Sequence, residues 1–473
     1  MSEIPSTAPD TAIVDELLAR ARLAQADFEK GADQARYDRA SLAAGWAVME
    51  PERNRAMAEL AVATTGLGNV ADKITKNHRK TLGLMRDIAK ARTWGVIKDD
   101  RATGITEIAR PIGVVGAVVP STNPIATPAN NVINALKCGN AIILAPSPKG
   151  IESCTTLLGH IHAEFDKAGI SHDLVQMVPA PGTKARTQRL LEISDLAVVT
   201  GSQDNVRRAY SSGTPAIGVG LGNVTVIVDE SADLGQAARK ITASKTFDNA
   251  TSCSSENAIV VVAAVYDAFV AALAAEGGCV LAPELEARVV ERLWPQGRLN
   301  KMALAKDADV LIAALGLQAE VPSGTEFVAV PTSGIGPAHP LSGEKLSRVA
   351  ALYRAEDFAE AKEITRRILC HQGAGHSVGI HTANDDRAVA LGRELPTCRV
   401  IVNQGHCFAT GGAFDNGMPF SLSMGCGSWG GNSIDENLHW KHFINVTRVV
   451  RTIPERQPSL DDIYREYWHE VGR

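Results

Sequence analysis

The chain has 473 residues, of which 45% are hydrophobic and 21% charged, and its formal net charge is -5 at pH 7. A single hydrophobic core stops growing near roughly 250–300 residues, so this length predicts two or three globular domains. The mild charge gives no electrostatic reason to bind nucleic acid or an anionic membrane, and neither partner is expected. No apolar run reaches the length of about 18 residues that a membrane span needs.

The N-terminal segment 1–10 is polar and acidic, so no secretory signal is expected there. The eight cysteines are scattered, and no two of them form a Cys-x-x-Cys pair. Neither a metal site nor a disulfide framework is therefore expected in a chain of this length. Free thiols are typical of a reducing compartment, which predicts a cytoplasmic protein. One thiol could be catalytic, or each could be a small buried apolar residue.

The first predicted elements are helices over 11–92, because apolar positions recur there at helical spacing without β-branched runs. Residues 94–110 predict two short strands around a polar turn. From residue 111 onward, strands and helices alternate. The strands are predicted at 114–119, 141–145, 174–179 and 196–200, and the helices at 130–137, 151–168 and 186–193. This alternation predicts a parallel sheet covered by helices on both faces.

A second α/β set follows the first. Its helices are predicted at 237–246, 265–276 and 284–294, and its strands at 258–264, 327–330, 377–381 and 399–402. The last 40 residues predict a glycine-rich loop, a closing strand at 447–450 and a short tail. The predicted fold class is therefore α/β.

Three loops are candidates for ligand binding because they adjoin predicted strands. In segment 120–124, Asn123 could donate its amide to a developing oxyanion, or it could form a plain Asn-Pro turn. Gly201 and Ser202 begin a helix after a strand, which suits a phosphate, although such turns are common without a ligand. Segment 218–223, Gly-Val-Gly-Leu-Gly-Asn, precedes a strand, so it is not a dinucleotide fingerprint but a flexible loop near a ligand.

The small, polar segment 247–257 presents Cys253 before a strand. Its small neighbours would give a nucleophilic thiol the access it needs, but a buried structural cysteine is the alternative. Segment 425–433 surrounds Trp429 with glycines, which indicates tight turns near a ligand, near an interface or in a purely structural loop. His160 and His162 lie two residues apart on a helix and face apart, so we interpret them as structural.

These segments together resemble the aldehyde dehydrogenase superfamily, in the order Asn123, Thr200-Gly201-Ser202, Cys253 and Glu344-Lys345-Leu346. Segments 245–257 and 426–437 resemble the CoA-acylating branch in particular, and the resemblance covers about residues 10–450. It implies that Cys253 is the nucleophile and that Asn123, with the Cys253 backbone N–H, holds the oxyanion. It also implies a small-molecule aldehyde and CoA as substrates.

The resemblance further implies a nicotinamide cofactor. Gly201 and Ser202 match the pyrophosphate turn, and Glu344 matches the acid that contacts the nicotinamide ribose. The implied cofactor-binding set is Pro120, Ser121, Thr122, Pro146, Ser147, Lys149, Thr200, Gly201, Ser202, Gly220, Glu344 and Leu346. His376 is a candidate for assisting CoA deprotonation, and a structural histidine is the alternative.

Departures from the family pattern refine these expectations. Segment 217–223 lacks the glutamate that activates water in hydrolytic members, so the thioester should persist until CoA arrives. Pro148 stands where an acid commonly grips the adenosine ribose. The absence of this acid removes repulsion against the 2′-phosphate of NADP, which Lys149 or Lys137 could attract. NADP is therefore the expected cofactor, with NAD as the alternative.

The overall sequence is similar to the sulfoacetaldehyde-oxidising members of the branch, which implies sulfoacetyl-CoA as the product. The alternatives are acetaldehyde or another short-chain aldehyde, or a hydrolytic enzyme that releases free acid. Arg348 stands where the family usually has proline. Arg348 or the loop 403–406, with His406, could hold an anionic substrate tail. A surface arginine is the alternative.

The resemblance also implies an architecture of two Rossmann-like parallel-sheet domains and a small β-flap that serves oligomerisation. The cofactor domain is expected over 1–240, including the helical N-terminus and the flap at 94–110. The catalytic domain is expected over 241–430, and 431–473 is expected to return to the first domain and support a homo-oligomer.

Overall fold

The computed structural model describes residues 10–473, and the expectation about an N-terminal signal falls mainly on residues 1–9, outside that range. The described chain forms helices and three sheets, of five, seven and three strands. The two large sheets are parallel and the small one is antiparallel, which confirms the predicted fold class. Within residues 10–473, no helix is both long and apolar enough to cross a bilayer.

Four helices precede the sheets: α1 (Ala12–Glu29), α2 (Gln34–Met49), α3 (Pro51–Thr65) and α4 (Val70–Ile88). Local chemistry sets their ends. The Asp33 carboxylate caps α2 and the Asn69 side chain caps α4, each by accepting from a backbone N–H in the first turn. Gly66 ends α3 in the left-handed conformation at φ 68°, which glycine adopts without strain. The predicted helical region 11–92 is confirmed.

The first two strands, β1 (Gly95–Asp100) and β2 (Ile105–Pro111), form a hairpin, as predicted for the segment 94–110. A five-stranded sheet follows, with strands β3 (Val114–Val119), β4 (Ala141–Pro146), β5 (Val175–Met177), β6 (Leu196–Val199) and β7 (Ala216–Gly218). Its helices are α5 (Ala126–Lys137), α6 (Ile151–Ala168), α7 (Lys184–Ile193) and α8 (Gln203–Tyr210). Every residue of β3, β4 and β6 is buried, which explains their continuous apolar runs.

The strand order of this sheet, β5-β4-β3-β6-β7, positions the binding crevice. The chain first builds outward from β3 through β4 to β5, and then returns to place β6 on the other side of β3. The connections therefore diverge at the carboxyl ends of β3 and β6. Open α/β sheets bind ligands in the crevice that forms at such a switch point.

The seven-stranded sheet has the order β10-β11-β12-β9-β8-β13-β14. Its strands are β8 (Val224–Val228), β9 (Glu256–Val262), β10 (Gly278–Val280), β11 (Phe327–Pro331), β12 (Val349–Ala355), β13 (Val378–His381) and β14 (Val400–Val402). Its helices are α9 (Leu234–Thr246), α10 (Tyr266–Ala275), α11 (Glu286–Leu293), α12 (Ala308–Leu315), α13 (Phe358–His371), α14 (Asp385–Glu394) and α15 (His406–Ala409). The side chains on its two faces belong to two separate apolar clusters.

The chain passes from the first large sheet to the second between residues 218 and 224, earlier than the predicted boundary at 240. The reason is that β8 pairs with β9 and β13 in the second sheet. Phe420, Leu438 and Phe443 are buried in the apolar cluster that contains the five-stranded sheet.

The last strand, β15 (Ile444–Val450), completes the three-stranded sheet by pairing antiparallel with β2, from Ile444 opposite Pro111 to Val450 opposite Ile105. The segment beyond it, which the sequence analysis describes only as a short tail, has secondary structure of its own. It contains the helix α16 (Leu460–Val471), which begins with a capping box formed by Ser459 and Asp462. No residue of α16 is buried, although the helix carries several large apolar side chains.

Candidate active site

A cavity of about 730 Å³ opens at the carboxyl ends of β3 and β6. The loops after β3, β4, β6 and β7 form one part of its wall, and the segment before β9 forms another. Cys253 lies in this second part, and Asn123 lies in the first. Of the predicted site residues, all but Lys149 and His376 line the cavity.

The segment that carries Cys253 is held in an unusual conformation. Asp248, Asn249 and Ala250 are three consecutive non-glycine residues with positive φ, at 48°, 54° and 59°. Such backbone persists only where surrounding contacts hold it. Here the buried Asp248 carboxylate accepts from Lys73 at 3.1 Å, from the Asn69 N–H at 3.1 Å and also from Lys76. These contacts fix the chain just before the thiol.

The glycine loop between β7 and β8 packs directly against this segment. A Cβ added to Gly222 would lie 2.3 Å from the Cys253 carbonyl oxygen and 2.7 Å from the Cys253 Cβ. A Cβ at Gly220 would lie 2.6 Å from the Cys426 Sγ. Glycine at these positions therefore allows the loop to approach the thiol, and the loop brings no carboxylate with it.

Asn123 is oriented by a lysine that the sequence analysis did not single out. The Lys76 ammonium donates to Asn123 Oδ1 at 3.0 Å and to Thr251 Oγ1 at 2.9 Å. This contact orients the side chain, and the Asn123 amide NH₂ donates to no group within residues 10–473, so it remains available. A donor beside a nucleophilic thiol suits the stabilisation of a developing oxyanion.

Burial raises the pKa of the Cys253 thiol to about 12, and the Glu344 carboxyl and Cys426 add to the increase. A nucleophilic cysteine needs a lowered pKa, and the protein side chains around Cys253 do not provide one. Burial also raises the pKa of Glu344 to about 8, against the opposing effects of Lys345 and Lys245. Glu344 is therefore mainly neutral at pH 7 and repels a thiolate little.

The end of the cavity near β4 and β6 fits a dinucleotide. Ser202 caps α8 by accepting from the Asn205 N–H, and a Cβ at Gly201 would meet open space. The helix start and its free N–H groups suit a phosphate. At the end of β4, the Ser147 hydroxyl is buried without a hydrogen-bond partner in the part of the chain that the structure describes. These polar groups are the kind that a bound ribose or phosphate satisfies.

The structure corrects the cations expected near the adenosine ribose. Lys137 is buried and its ammonium pairs with Asp38 at 2.5 Å, so it cannot serve a ligand in the cavity. Lys149 is exposed and does not line the cavity. Lys184 and Arg208 line this end instead. The Arg208 guanidinium donates to the Lys184 carbonyl oxygen at 2.7 Å.

Arg348 is neither a surface residue nor part of the cavity wall. Its guanidinium is buried and donates to Asn249 Oδ1 at 2.9 Å and to the Glu326 carboxylate at 2.7 Å. The hypothesis that Arg348 holds a substrate tail is therefore wrong. Its contact with Asn249 instead supports the strained segment before Cys253.

The two histidines considered for function are also buried outside the cavity wall. His376 Nδ1 and His406 Nε2 both contact the Ser377 hydroxyl, at 2.7 and 2.8 Å. Burial lowers the pKa of His376 to about 3, with Arg399 adding to the effect. The geometry gives His376 no contact with a ligand in the cavity, and it gives His406 none with a substrate tail. His162 has a structural contact, as expected, between its Nε2 and the Val175 carbonyl oxygen at 2.8 Å.

The sequence analysis missed a group of cations on α4. Lys76, Arg79 and Lys80 all line the cavity, and Lys73 lies one turn before them. Their spacing of three and four residues places them on one face of the helix. A signal was present, because this cationic stripe occupies the helix face where apolar side chains usually pack.

Glu436, His439 and His442 form the one cluster of metal-ligating side chains found among residues 10–473, where the sequence predicts no metal site. The Glu436 carboxylate lies 3.2 Å from His439 Nε2 and 3.3 Å from His442 Nε2. His442 Nδ1 accepts from the His439 backbone N–H. These side chains therefore satisfy one another, outside the cavity.

Comparisons with known proteins agree with this geometry. The model of the aldehyde dehydrogenase family matches residues 6–278. The chain is 56% identical to a sulfoacetaldehyde dehydrogenase (acylating) of Cupriavidus necator, over 97% of this chain and 93% of that protein. It is 35% identical to a succinate-semialdehyde dehydrogenase (acetylating) of Clostridium kluyveri, over 95% and 98%. An acetylating aldehyde dehydrogenase structure from Geobacillus thermoglucosidasius matches with TM-score 0.90 and 33% identity, covering 95% of this chain and 98% of that one.

Proposed function

Because this chain belongs to the aldehyde dehydrogenase family, in its CoA-acylating branch, we propose that it oxidises sulfoacetaldehyde to sulfoacetyl-CoA. The observation that carries the acylating chemistry is the loop 219–223, which packs against Cys253 without a carboxylate. The 56% identity to an acylating sulfoacetaldehyde dehydrogenase supports the choice of aldehyde. A hydrolytic reaction lacks its usual base, because the loop beside Cys253 carries no carboxylate that could activate water.

The proposed mechanism starts with attack of the Cys253 thiolate on the aldehyde carbon. The carbonyl oxygen becomes an oxyanion, which accepts hydrogen bonds from the Asn123 amide and the Cys253 backbone N–H. Lys76 keeps the Asn123 amide turned toward this position. A nicotinamide cofactor held by Gly201, Ser202 and Glu344 would supply the hydride acceptor and a positive charge that favours the thiolate. Loss of hydride from the former aldehyde carbon leaves an acyl thioester on Cys253, and the CoA thiolate then displaces the Cys253 sulfur.

The proposed cofactor preference is NADP over NAD. Pro148 leaves no acid at the end of β4 to repel a 2′-phosphate. Lys184 and Arg208 replace Lys149 and Lys137 as the cations that would attract it, since both line the cavity at this end. A Cβ at Gly182 would lie 3.6 Å from the Pro146 carbonyl oxygen, so the segment that leads to Lys184 adjoins the end of β4, and Arg208 contacts the Lys184 carbonyl oxygen.

We also infer that the three-stranded sheet and α16 serve self-association. Within residues 10–473, β15 pairs only with β2, so its outer edge is free to bind another strand. Helix α16 exposes an apolar face made of Leu460, Ile463, Tyr464, Tyr467 and Val471. Light scattering of the purified protein tests this inference, and a monomer at micromolar concentration would contradict it.

The test of the proposed reaction is a reduced-cofactor assay with sulfoacetaldehyde, run with and without CoA. We expect sustained turnover only with CoA, and sulfoacetyl-CoA as the product by mass spectrometry. Without CoA, a single burst of reduced cofactor should match the number of Cys253 thiols, and Cys253→Ala should abolish it. Sustained CoA-independent release of sulfoacetate would overturn the acylating reaction, and a preference for acetaldehyde would overturn the choice of substrate.

A further inference from the structure

The cations of α4 give the cavity an unusual charge beside the thiol. Five cationic side chains line the cavity, and only two acids do, Asp204 and Glu344. Lys184 and Arg208 belong to the cofactor end, which leaves Lys76, Arg79 and Lys80 on the side of Asn123 and Cys253. A wall with this balance favours an anionic ligand.

Lys76 has its own neutralising partner, but the other two cations do not. The Lys76 ammonium contacts the Asp248 carboxylate. For Arg79 and Lys80, no carboxylate lies within ion-pair distance in the described part of the chain. Arg79 donates to the Phe408 carbonyl oxygen at 3.1 Å, and Lys80 donates to the Gly411 carbonyl oxygen at 2.6 Å. Each side chain keeps further N–H donors that form no hydrogen bond within residues 10–473.

The surroundings of Arg79 and Lys80 make an uncompensated charge costly. Lys80 is only 8% exposed, and its burial and the neighbouring Arg79 lower the pKa of the ammonium to about 7. Aromatic rings stabilise these charges in part, since the Arg79 guanidinium lies 5.3 Å from the centre of the Phe408 ring and the Lys80 ammonium 5.6 Å from that of Phe420, but neither ring neutralises a charge. An anion placed between them would stabilise both charges and accept their free donors.

The distance from the reacting carbonyl also fits a short anionic aldehyde. Lys76 marks the oxyanion position through its 3.0 Å contact with Asn123. Lys80 lies one helical turn further along the same face of α4, and neighbouring side chains at this spacing are about 5–6 Å apart at Cβ. In sulfoacetaldehyde, one methylene group separates the carbonyl from the sulfonate. Gly411 keeps this position open, since a Cβ there would lie 2.6 Å from the Lys80 ammonium nitrogen.

We propose that Arg79 and Lys80 bind the sulfonate of the substrate and thereby set the preference for anionic over neutral aldehydes. This inference rests on the proposed function and names the residues behind its substrate choice. A sulfonate suits the pair because its three oxygens can accept from two donors that approach from different directions. A carboxylate tail is bound through the same chemistry, but it is planar and matches a single arginine.

The test compares sulfoacetaldehyde, succinate semialdehyde and propionaldehyde in the CoA-dependent assay. Variants Arg79→Gln and Lys80→Met remove one charge each and keep similar volume. The ratio of kcat/KM for sulfoacetaldehyde to that for propionaldehyde should fall about 10- to 100-fold, the range expected for a lost hydrogen bond to a charged group. Most of the loss should be in KM. The matched control is Arg86→Gln, which removes an exposed arginine of α4 outside the cavity wall.

A binding measurement supplies a readout that does not depend on turnover. Ethanesulfonate has no carbonyl, so we expect it to bind the wild-type protein in calorimetry and to compete with the aldehyde. Its affinity should fall at least tenfold in both variants and be restored in part by Arg79→Lys and Lys80→Arg. Near-ultraviolet circular dichroism establishes that each variant folds. If Lys80→Met does not fold, Arg79→Gln and Lys80→Arg decide the result.

The outcomes separate this inference from the proposed function. Equal losses of kcat/KM for sulfoacetaldehyde and propionaldehyde, with unchanged ethanesulfonate affinity, would overturn the sulfonate site while leaving the reaction intact. A wild-type enzyme that does not oxidise sulfoacetaldehyde would overturn the proposed substrate. If that enzyme still bound ethanesulfonate through Arg79 and Lys80, the anion site would be confirmed, but its substrate would be another anionic aldehyde. A larger loss for succinate semialdehyde than for sulfoacetaldehyde would assign the site to carboxylates and overturn the sulfonate.

Discussion

The close approach of Gly222 to Cys253 gives a sharp prediction for the variant Gly222→Ala. The added Cβ would lie 2.3 Å from the Cys253 carbonyl oxygen, whereas ordinary contacts begin near 3.4 Å. The Cys253 backbone or the loop must therefore move by about 1 Å, and a displacement of about 1 Å at a reacting group can cost about 100-fold in rate. We expect kcat to fall by about that factor, with a smaller change in the affinity for NADP.

The assay is the burst of reduced cofactor in the absence of CoA, because it reports acylation of Cys253 before the second half-reaction. Gly159→Ala is the matched control, since glycine 159 lies inside α6 and a Cβ there meets nothing within 4 Å. This control should keep the wild-type burst and gain slightly in stability. A wild-type burst rate in Gly222→Ala would refute the reasoning that the loop positions the thiol.

Three further changes test other parts of the site. In Lys76→Met the amide of Asn123 loses its 3.0 Å partner, so kcat should fall about tenfold or more with little change in KM. Stopped-flow assays should show a larger loss of kcat, about 100- to 1,000-fold, in Asn123→Ala. Glu344→Gln should leave the rate of Cys253 alkylation by iodoacetamide unchanged at pH 7 and increase it above pH 8. The reason is that the pKa of Glu344 is raised to about 8, so its carboxyl repels the Cys253 thiolate only above that pH. Equal alkylation rates in the variant and the wild type at pH 9 would contradict this. Arg208→Gln should lower the ratio of NADP to NAD affinity about tenfold in fluorescence titrations, and an unchanged ratio would exclude a phosphate contact.

The fold of the cofactor side could be predicted because its signals are local. The strands β3, β4 and β6 are buried on both faces, so each one reads as an unbroken apolar run in the sequence. The loops that follow parallel strands meet at one edge of the sheet. The positions of Asn123 and Ser202 in the cavity follow from that rule alone.

The rest of the site depends on contacts between distant parts of the chain. Asp248 pairs with Lys76 across 172 residues, and Arg348 contacts Asn249 across 99 residues. The cationic stripe of α4 is visible in the sequence, but no local pattern indicates that the helix docks on the cavity, so the function of its cations was missed. The hypothesis that Arg348 or the loop 403–406 holds the substrate tail rested on residue types alone. In the structure Arg348 contacts Asn249 and Glu326, and His406 contacts Ser377, and such partners are not visible in the sequence. The helix α16 was not predicted, and its apolar face is exposed in the described part of the chain.

The pairing of β15 with β2 also constrains how the molecule is made. The ion pair between Arg448 and Glu107 in these strands joins residues that are 341 positions apart. During translation at about 5–20 residues per second, β2 therefore leaves the ribosome well before its partner exists. For that interval the hairpin presents a bare edge, a template for mispairing with neighbouring nascent chains. Completion of the three-stranded sheet is thus expected to be among the last events of biogenesis, and slower synthesis of residues 112–443 should lengthen the period of risk.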